Sequence, residues 1–225
     1  MIKRPVIIIG GLLGLIVFGA VAWWLASPLF IDNTVDEAFP FEVPSAAEVS
    51  TMSAEERMAV EAEFMAAVPG EAELAQLSAE DEAKVEERVQ EAAAIVMMDK
   101  SMAEPMPESA AEWLVVKQGN FVDADDFHQG SGTAMVYQQG EEQVLRFEDF
   151  NVTNGPDLHV ILTKHPAPAS RSEVGEDYID LGSLKGNQGN QNYPIPAGTN
   201  LSEYQSVVIY CVPFHVVFAT ATLNQ

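Results

Sequence analysis

The stretch VVIYCVPFHVVFATATL, residues 207–223, holds the single cysteine of the chain, Cys211, and a histidine four positions later, His215. The residues on both sides of Pro213 are apolar or β-branched, a composition typical of buried strands. Proline donates no backbone hydrogen bond to a sheet, so Pro213 predicts a kink or a bulge between two strand segments. The stretch therefore predicts two strand segments with a thiol and an imidazole near their junction.

Strand-forming residues also recur in the preceding hundred residues, with turn sequences such as Gln139-Gly140 and Ala197-Gly198 between them. The predicted strands cover residues 113–117, 133–138, 143–150, 157–163, 178–181, 206–212 and 214–223. Short strands in close succession without intervening helices are typical of an antiparallel β-sandwich or barrel. We predict a mainly β fold, an antiparallel β-sandwich, over residues 113–225.

The chain before this domain carries helical signals. Ser53 followed by Glu56 forms a capping-box pattern, and Ser78 begins a second helix whose apolar stripe includes Val89 and Val96. We predict an irregular extracytoplasmic linker over residues 27–50, then an acidic helical spacer and a proline-containing linker over residues 51–112. The apolar stripe leaves three packing partners open, namely the other helix, the β-domain or another protein.

The N-terminus predicts a membrane anchor. Lys3 and Arg4 precede residues 5–26, which are 22 uncharged residues, enough for a helix to cross a bilayer. The basic residues before this segment place the N-terminus in the cytoplasm and the rest of the chain outside it. A cleaved signal peptide is the alternative, because Ala20 and Ala22 fit a cleavage site. We predict an uncleaved single-pass anchor in the cell membrane over residues 1–26, with the lipid bilayer contacting residues 5–26.

The charge of the chain excludes one class of partner. The chain has 225 residues and a formal net charge of −23. Such a protein repels phosphate backbones, so we expect no nucleic-acid binding. The sequence contains no CxxC, CxxCH or HExxH motif, and no Ser/His/Asp arrangement can be assigned from residue order. We therefore identify no catalytic constellation and expect the protein not to be an enzyme.

Several blocks in the second half of the chain, taken in order, resemble a known family. These blocks are residues 119–121, 128–134, 145–150, 154–158, 181–186, 190–193, 195–196 and 210–218. Together they resemble the DM13 domain, a module found alone in bacterial membrane-anchored proteins and beside DOMON and cytochrome b561 domains in animals. The resemblance implies a DOMON-like β-sandwich with an extracytoplasmic electron-transfer role that depends largely on the cysteine matching Cys211. It implies no particular substrate or cofactor.

The candidate site is centred on Cys211. His128, in a turn-rich segment, and His215 are the candidate partners in redox chemistry or metal ligation. Haem or a redox metal is the candidate cofactor, although no spacing requires one. The alternative interpretation is an inert thiol buried in the core. The residues with a predicted structural role in the matched blocks are Gly155, Pro156, Asp157, Tyr210, Phe214 and Phe218.

Two functions follow from these residues. The first is a membrane-tethered extracytoplasmic protein with a redox or electron-transfer role centred on Cys211, acting with a redox partner protein. The second is a non-enzymatic module that binds a cell-surface or matrix component through loops, here residues 164–172 or 183–192. Access to the sulfur atom of Cys211 distinguishes the two functions.

Overall fold

A computed structural model of the protein describes residues 43–107 and 112–224. The helices are α1 (Ala46–Thr51), α2 (Ala54–Ala67), α3 (Glu71–Leu74), α4 (Ala79–Val96) and α5 (Arg171–Val174). The strands are β1 (Ser101–Ala103), β2 (Leu114–Asp123), β3 (Gly130–Gln139), β4 (Glu142–Val152), β5 (Leu158–Thr163), β6 (Ile179–Ser183), β7 (Gln188–Pro194), β8 (Ser206–Cys211) and β9 (Val216–Thr222).

No helix within the described residues is long and apolar enough to cross a bilayer. The predicted membrane anchor over residues 5–26 lies outside the described residues.

Local capping bonds set the helix starts. The hydroxyl of Ser53 accepts from the amide of Glu56, and the Glu56 carboxylate accepts from the amide of Ser53 at 2.7 Å, so the predicted capping box is confirmed. Ser78 caps α4 through the amide of Asp81, also as predicted. A further capping box at Ser45 begins α1. Residues 46–50 are thus helical, although the sequence predicted an irregular linker over residues 27–50.

The helices pack on the β-strands. Val89, Ala92, Ala93 and Val96 of α4 are buried and belong to the same hydrophobic cluster as residues of β4, β5 and β8. The Gln90 side chain also donates from Nε2 to the backbone oxygen of Asn154 at 2.9 Å. Of the three packing partners that the apolar stripe left open, the structure shows two, because α4 packs on the other helices as well as on the β-domain.

The nine strands form one curled, mixed sheet in the order β1-β7-β4-β3-β2-β9-β8-β5-β6. All neighbours are antiparallel except β1 and β7, which are parallel. β2 connects the two halves, because residues 114–120 pair with β3 and residues 121–123 pair with β9. The mainly β prediction is confirmed, but two separate stacked sheets are not observed, so the sandwich is not confirmed.

The stretch that predicted paired strands is an antiparallel hairpin. β8 ends at Cys211 and β9 begins at Val216, so residues 212–215 form the turn around Pro213. His215 has a left-handed backbone with φ of 56°. The last strand therefore starts two residues later than the sequence predicted, because residues 214–215 belong to the turn.

Aromatic residues of β2 and β4 pack together in the core. The rings of Phe121, Phe147 and Phe150 pack together with centroid separations of 4.8–5.0 Å. Phe64 of α2, which is fully buried, belongs to the same cluster. Helices and strands thus share one core, and they are expected to unfold together.

Replacing Phe64 with alanine tests this shared core. The Phe64→Ala variant should be destabilised by about 3–5 kcal/mol, because the substitution empties a buried aromatic site. Urea denaturation of the full chain in detergent, followed by circular dichroism, measures the effect and should show one cooperative transition. The Met58→Ala variant is the control on the same helix, since Met58 is 57% exposed. Separate transitions for helices and strands would contradict a shared core.

Candidate functional site

Cys211 lies at the end of β8, between Leu158 of β5 and Val216 of β9. The residue is only 1% exposed. Its sulfur donates to the backbone oxygen of Pro156 at 3.1 Å and accepts from the backbone amide of Phe214. Both polar capacities of the thiol are therefore used inside the protein.

The turn over residues 154–157 covers the sulfur. Gly155 and Pro156 are buried, and Asp157 has a left-handed backbone with φ of 46°. The backbone oxygen of Asp157 accepts from the amide of Val212 at 3.2 Å, which ties the turn to the hairpin. A Cβ atom at Gly155 would lie 2.6 Å from Cε1 of Phe218, so the ring fills the space that any other side chain would need.

His128 contacts the same phenylalanine. Its ring centroid lies 4.3 Å from that of Phe218, and the histidine is 6% exposed. Its Nδ1 lies 2.7 Å from a carboxylate oxygen of Asp125, which fixes the orientation of the imidazole. A continuous chain of contacts thus runs from His128 through Phe218 and the turn at Gly155–Pro156 to the sulfur of Cys211.

His215 is held elsewhere. Its Nδ1 lies 3.2 Å from the hydroxyl of Tyr210, and its Nε2 lies 3.3 Å from a carboxylate oxygen of Glu71. Tyr210 and Cys211 are successive strand residues on opposite faces, and they belong to different hydrophobic clusters. The structure therefore associates His215 with Tyr210 and not with the thiol.

A haem iron or a redox metal needs ligands that converge on one point. The part of the chain that the structure describes contains no group of three histidine, cysteine, aspartate or glutamate side chains able to hold a metal ion. Cys211, His128 and His215 are each committed to different partners. In this arrangement the three candidate ligands do not fit a shared metal or haem.

Burial controls the acidity of the thiol. It raises the pKa of Cys211 from the ordinary 9.0 to about 12, against a smaller lowering by the amide of Phe214. The carboxylates of Glu86 and Asp157 raise this pKa further. Because the thiolate is the nucleophile, the thiol in this conformation is unreactive near neutral pH.

Glu86 is a residue near the site that sequence reasoning missed. Burial raises the pKa of Glu86, and the charges of Asp125 and Glu82 raise it further, whereas His128 lowers it. Because His128 and Asp125 both act on it, this α4 side chain faces the His128 loop. Glu86 lies three residues before Val89, at the edge of the apolar stripe. This spacing could have indicated that Glu86 lies beside the packed face of the helix. α4 therefore adds negative charge beside His128 and near Cys211.

A family model described as Electron transfer DM13 matches residues 120–223. The chain carries a DM13 domain. No curated protein and no solved structure matches the chain. Three of the blocks on which the resemblance rested, residues 128–134, 154–158 and 210–218, meet in the DM13 domain around Phe218 and Cys211.

The packing of the turn predicts a strong effect at Gly155. The Gly155→Ala variant should lose about 1–3 kcal/mol, because the added methyl overlaps the Phe218 ring. Adding Phe218→Leu should make the double variant less destabilised than the sum of the two single variants. The free energies of unfolding in urea measure this coupling. Strict additivity would show that the turn does not press on the ring.

The raised pKa predicts the reactivity of the thiol. Because the pKa is about 12 instead of 9.0, iodoacetamide should alkylate the native chain about 10³-fold more slowly than the denatured chain at pH 8. The native rate should rise tenfold per pH unit up to about pH 12, whereas the denatured rate levels off above pH 9. A native rate that levels off near pH 9 would contradict the burial argument.

The same pKa makes the stability depend on pH. The contribution of the buried thiol is fully present below pH 9 and is lost as the pH rises toward about 12, because the unfolded chain ionises first. The Cys211→Ser variant is the control. It has no thiol to ionise, so its free energy of unfolding should fall less between pH 9 and pH 12.

Proposed function

We propose that the protein is a membrane-tethered extracytoplasmic DM13 protein with a redox role, and that Cys211 is its redox-active residue. One observation carries the proposal: the sulfur lies where three blocks typical of the family meet, bonded to the turn at Pro156. The family description, electron transfer, supports a redox role. The basic and apolar N-terminal sequence supports the tether.

The chemistry that a single cysteine supplies is thiol–disulfide exchange with a partner. The Cys211 thiolate attacks one sulfur of a partner disulfide, a bond forms between the two sulfurs, and the partner's own disulfide breaks. Cys211 is oxidised to a mixed disulfide, while the leaving sulfur is reduced and takes the proton. The co-reactant is thus a disulfide of a partner protein or of a small thiol compound.

The buried sulfur limits when this exchange occurs. With 1% exposure and a pKa of about 12, Cys211 is protected in the conformation described above. Exchange requires the turn over residues 154–157 to move away from the hairpin, breaking the bond to Pro156 and the bond between Asp157 and Val212. We therefore propose that this conformation is the resting state.

A second candidate function is a non-redox binding module, and the sealed sulfur favours it. A polar cleft of about 370 Å³ lies where the ends of β2, β3, β4 and β7 meet. It includes two residues of the 183–192 segment, Asn187 and Gln188, for which the sequence predicted a binding role. The other polar side chains of this cleft include Asp99, Asp123, Asn151, Thr153 and Asn154. In this function Cys211 contributes only to stability.

Equilibration with glutathione separates the two functions. The full chain in detergent micelles is incubated in glutathione buffers of different redox potential, and the mass of the intact protein is recorded. A redox role predicts a mixed disulfide of Cys211 with glutathione that forms without loss of the native circular dichroism spectrum and is reversed by dithiothreitol. The Cys211→Ser variant should gain no mass.

A matched variant controls for the assay. In the Cys211→Ser/Ser202→Cys variant, the new cysteine replaces an exposed residue and should form the mixed disulfide readily. If the exposed cysteine reacts while Cys211 stays reduced at every potential in the folded protein, the redox role of Cys211 is excluded and the binding module is retained.

A further inference from the structure

Phe127 has the most exposed ring among the large apolar side chains of the described residues, at 68% exposure. It lies in the loop between β2 and β3, next to the buried His128. Exposure of an aromatic ring in water is unfavourable, and aromatic anchors are enriched among the residues that dominate protein interfaces. This ring is therefore a candidate contact for another molecule.

The loop holds Phe127 in a fixed position. One carboxylate oxygen of Asp125 accepts from the amides of Phe127 and His128, both at 2.8 Å. The other oxygen lies 2.7 Å from Nδ1 of His128, and the amide of Ala124 donates to the backbone oxygen of His128. A loop with these bonds loses little conformational entropy when a partner binds.

Acidic side chains lie in the same loop as the ring and on the helix that faces this loop. Asp125 and Asp126 precede it in the loop, and both are exposed. Glu86 of α4 interacts electrostatically with Asp125 and with Glu82. We call Phe127 with these four acidic residues the Phe127 surface. In a chain of net charge −23, this surface repels anionic lipids and attracts a basic partner.

The Phe127 surface is also close to the candidate redox residue. His128 follows Phe127 directly, and its ring contacts Phe218, which packs against Gly155. The neighbouring Pro156 accepts the hydrogen bond from Cys211. A protein bound at Phe127 would therefore sit at the outer end of the contact chain that leads to the sulfur.

We propose that the Phe127 surface is the docking site for a protein with an apolar pocket ringed by lysine or arginine side chains. Phe127 enters the pocket, and the acidic side chains pair with the basic ring. That this partner exchanges electrons with the protein rests on the redox role proposed above, whereas the docking itself does not.

The proposal is tested by binding of cytochrome c, a basic redox protein, to the full chain in detergent micelles at low ionic strength. Phe127→Ser and Asp126→Lys should each weaken binding by about tenfold or more, as expected for a central anchor and its charged rim. Binding should also weaken as the salt concentration rises. Circular dichroism checks that each variant is folded.

Two matched variants separate docking at this surface from general attraction between opposite charges. Leu114→Ser removes a side chain that is 61% exposed at the start of β2, and Glu141→Lys changes an exposed charge in the turn after β3. Both positions lie at the opposite ends of these strands from the Phe127 loop. Each of these two variants should change the affinity for cytochrome c by less than about twofold.

Equal weakening by the matched variants would overturn the proposal, as would no binding of cytochrome c to the unaltered protein at low salt. Preferential binding of the Phe127 surface to vesicles of anionic lipid would also overturn it. The Cys211→Ser variant should bind as the unaltered protein does. If Cys211 proves inert toward glutathione while Phe127→Ser still loses binding, the docking surface stands and only the redox role fails.

Discussion

The packing of the residue 154–157 turn against the β8–β9 hairpin is the constraint on which the candidate site depends. Gly155 has no side chain, and the Phe218 ring occupies that space. The resulting close approach brings the backbone oxygen of Pro156 to the sulfur of Cys211. The same ring contacts His128 on the β2–β3 loop. One packing contact therefore both seals the sulfur and connects it to the surface.

This arrangement places the thiol of Cys211 in the core and the ring of Phe127 on the surface. Cys211 lies in a core that raises its pKa to about 12, so the thiol stays protonated and shielded from small oxidants in this conformation. Phe127 and its acidic neighbours lie outside the core, where a partner can reach them. A protein with one unpaired cysteine benefits from this separation, because an exposed thiol is prone to unselective oxidation.

The helical segment contributes to the site as well as to the core. α4 buries Val89 and Val96 against the strands and places Glu86 near Asp125 and His128. The sequence indicated an amphipathic helix but left its packing partner open, because one apolar stripe fits several surfaces equally well. The contact between Gln90 and Asn154 fixes α4 on the turn that covers Cys211.

Local chemistry explains what the sequence determined by itself. Ser53 and Ser78 predicted helix starts because capping bonds join residues three apart, and β-branched runs with turn residues predicted most strands. Two strands were missed. β7 is mostly polar and pairs with β4. β1 is only three residues long and pairs with β7, with Ser101 opposite Gln188. The two candidate histidines were likewise named from sequence, but His215 bonds Tyr210 while His128 joins the Cys211 site through Phe218.

The sequence alone thus determined the helix starts and most of the strands, the resemblance to the DM13 domain, and the position of the single thiol. Only the tertiary structure decided that the strands form one curled sheet, that the sulfur is sealed and that Phe127 is exposed. The physical reason is distance along the chain. Caps and turns depend on bonds between near neighbours, whereas strand pairing and burial depend on contacts between residues far apart in sequence, such as Pro156 and Cys211.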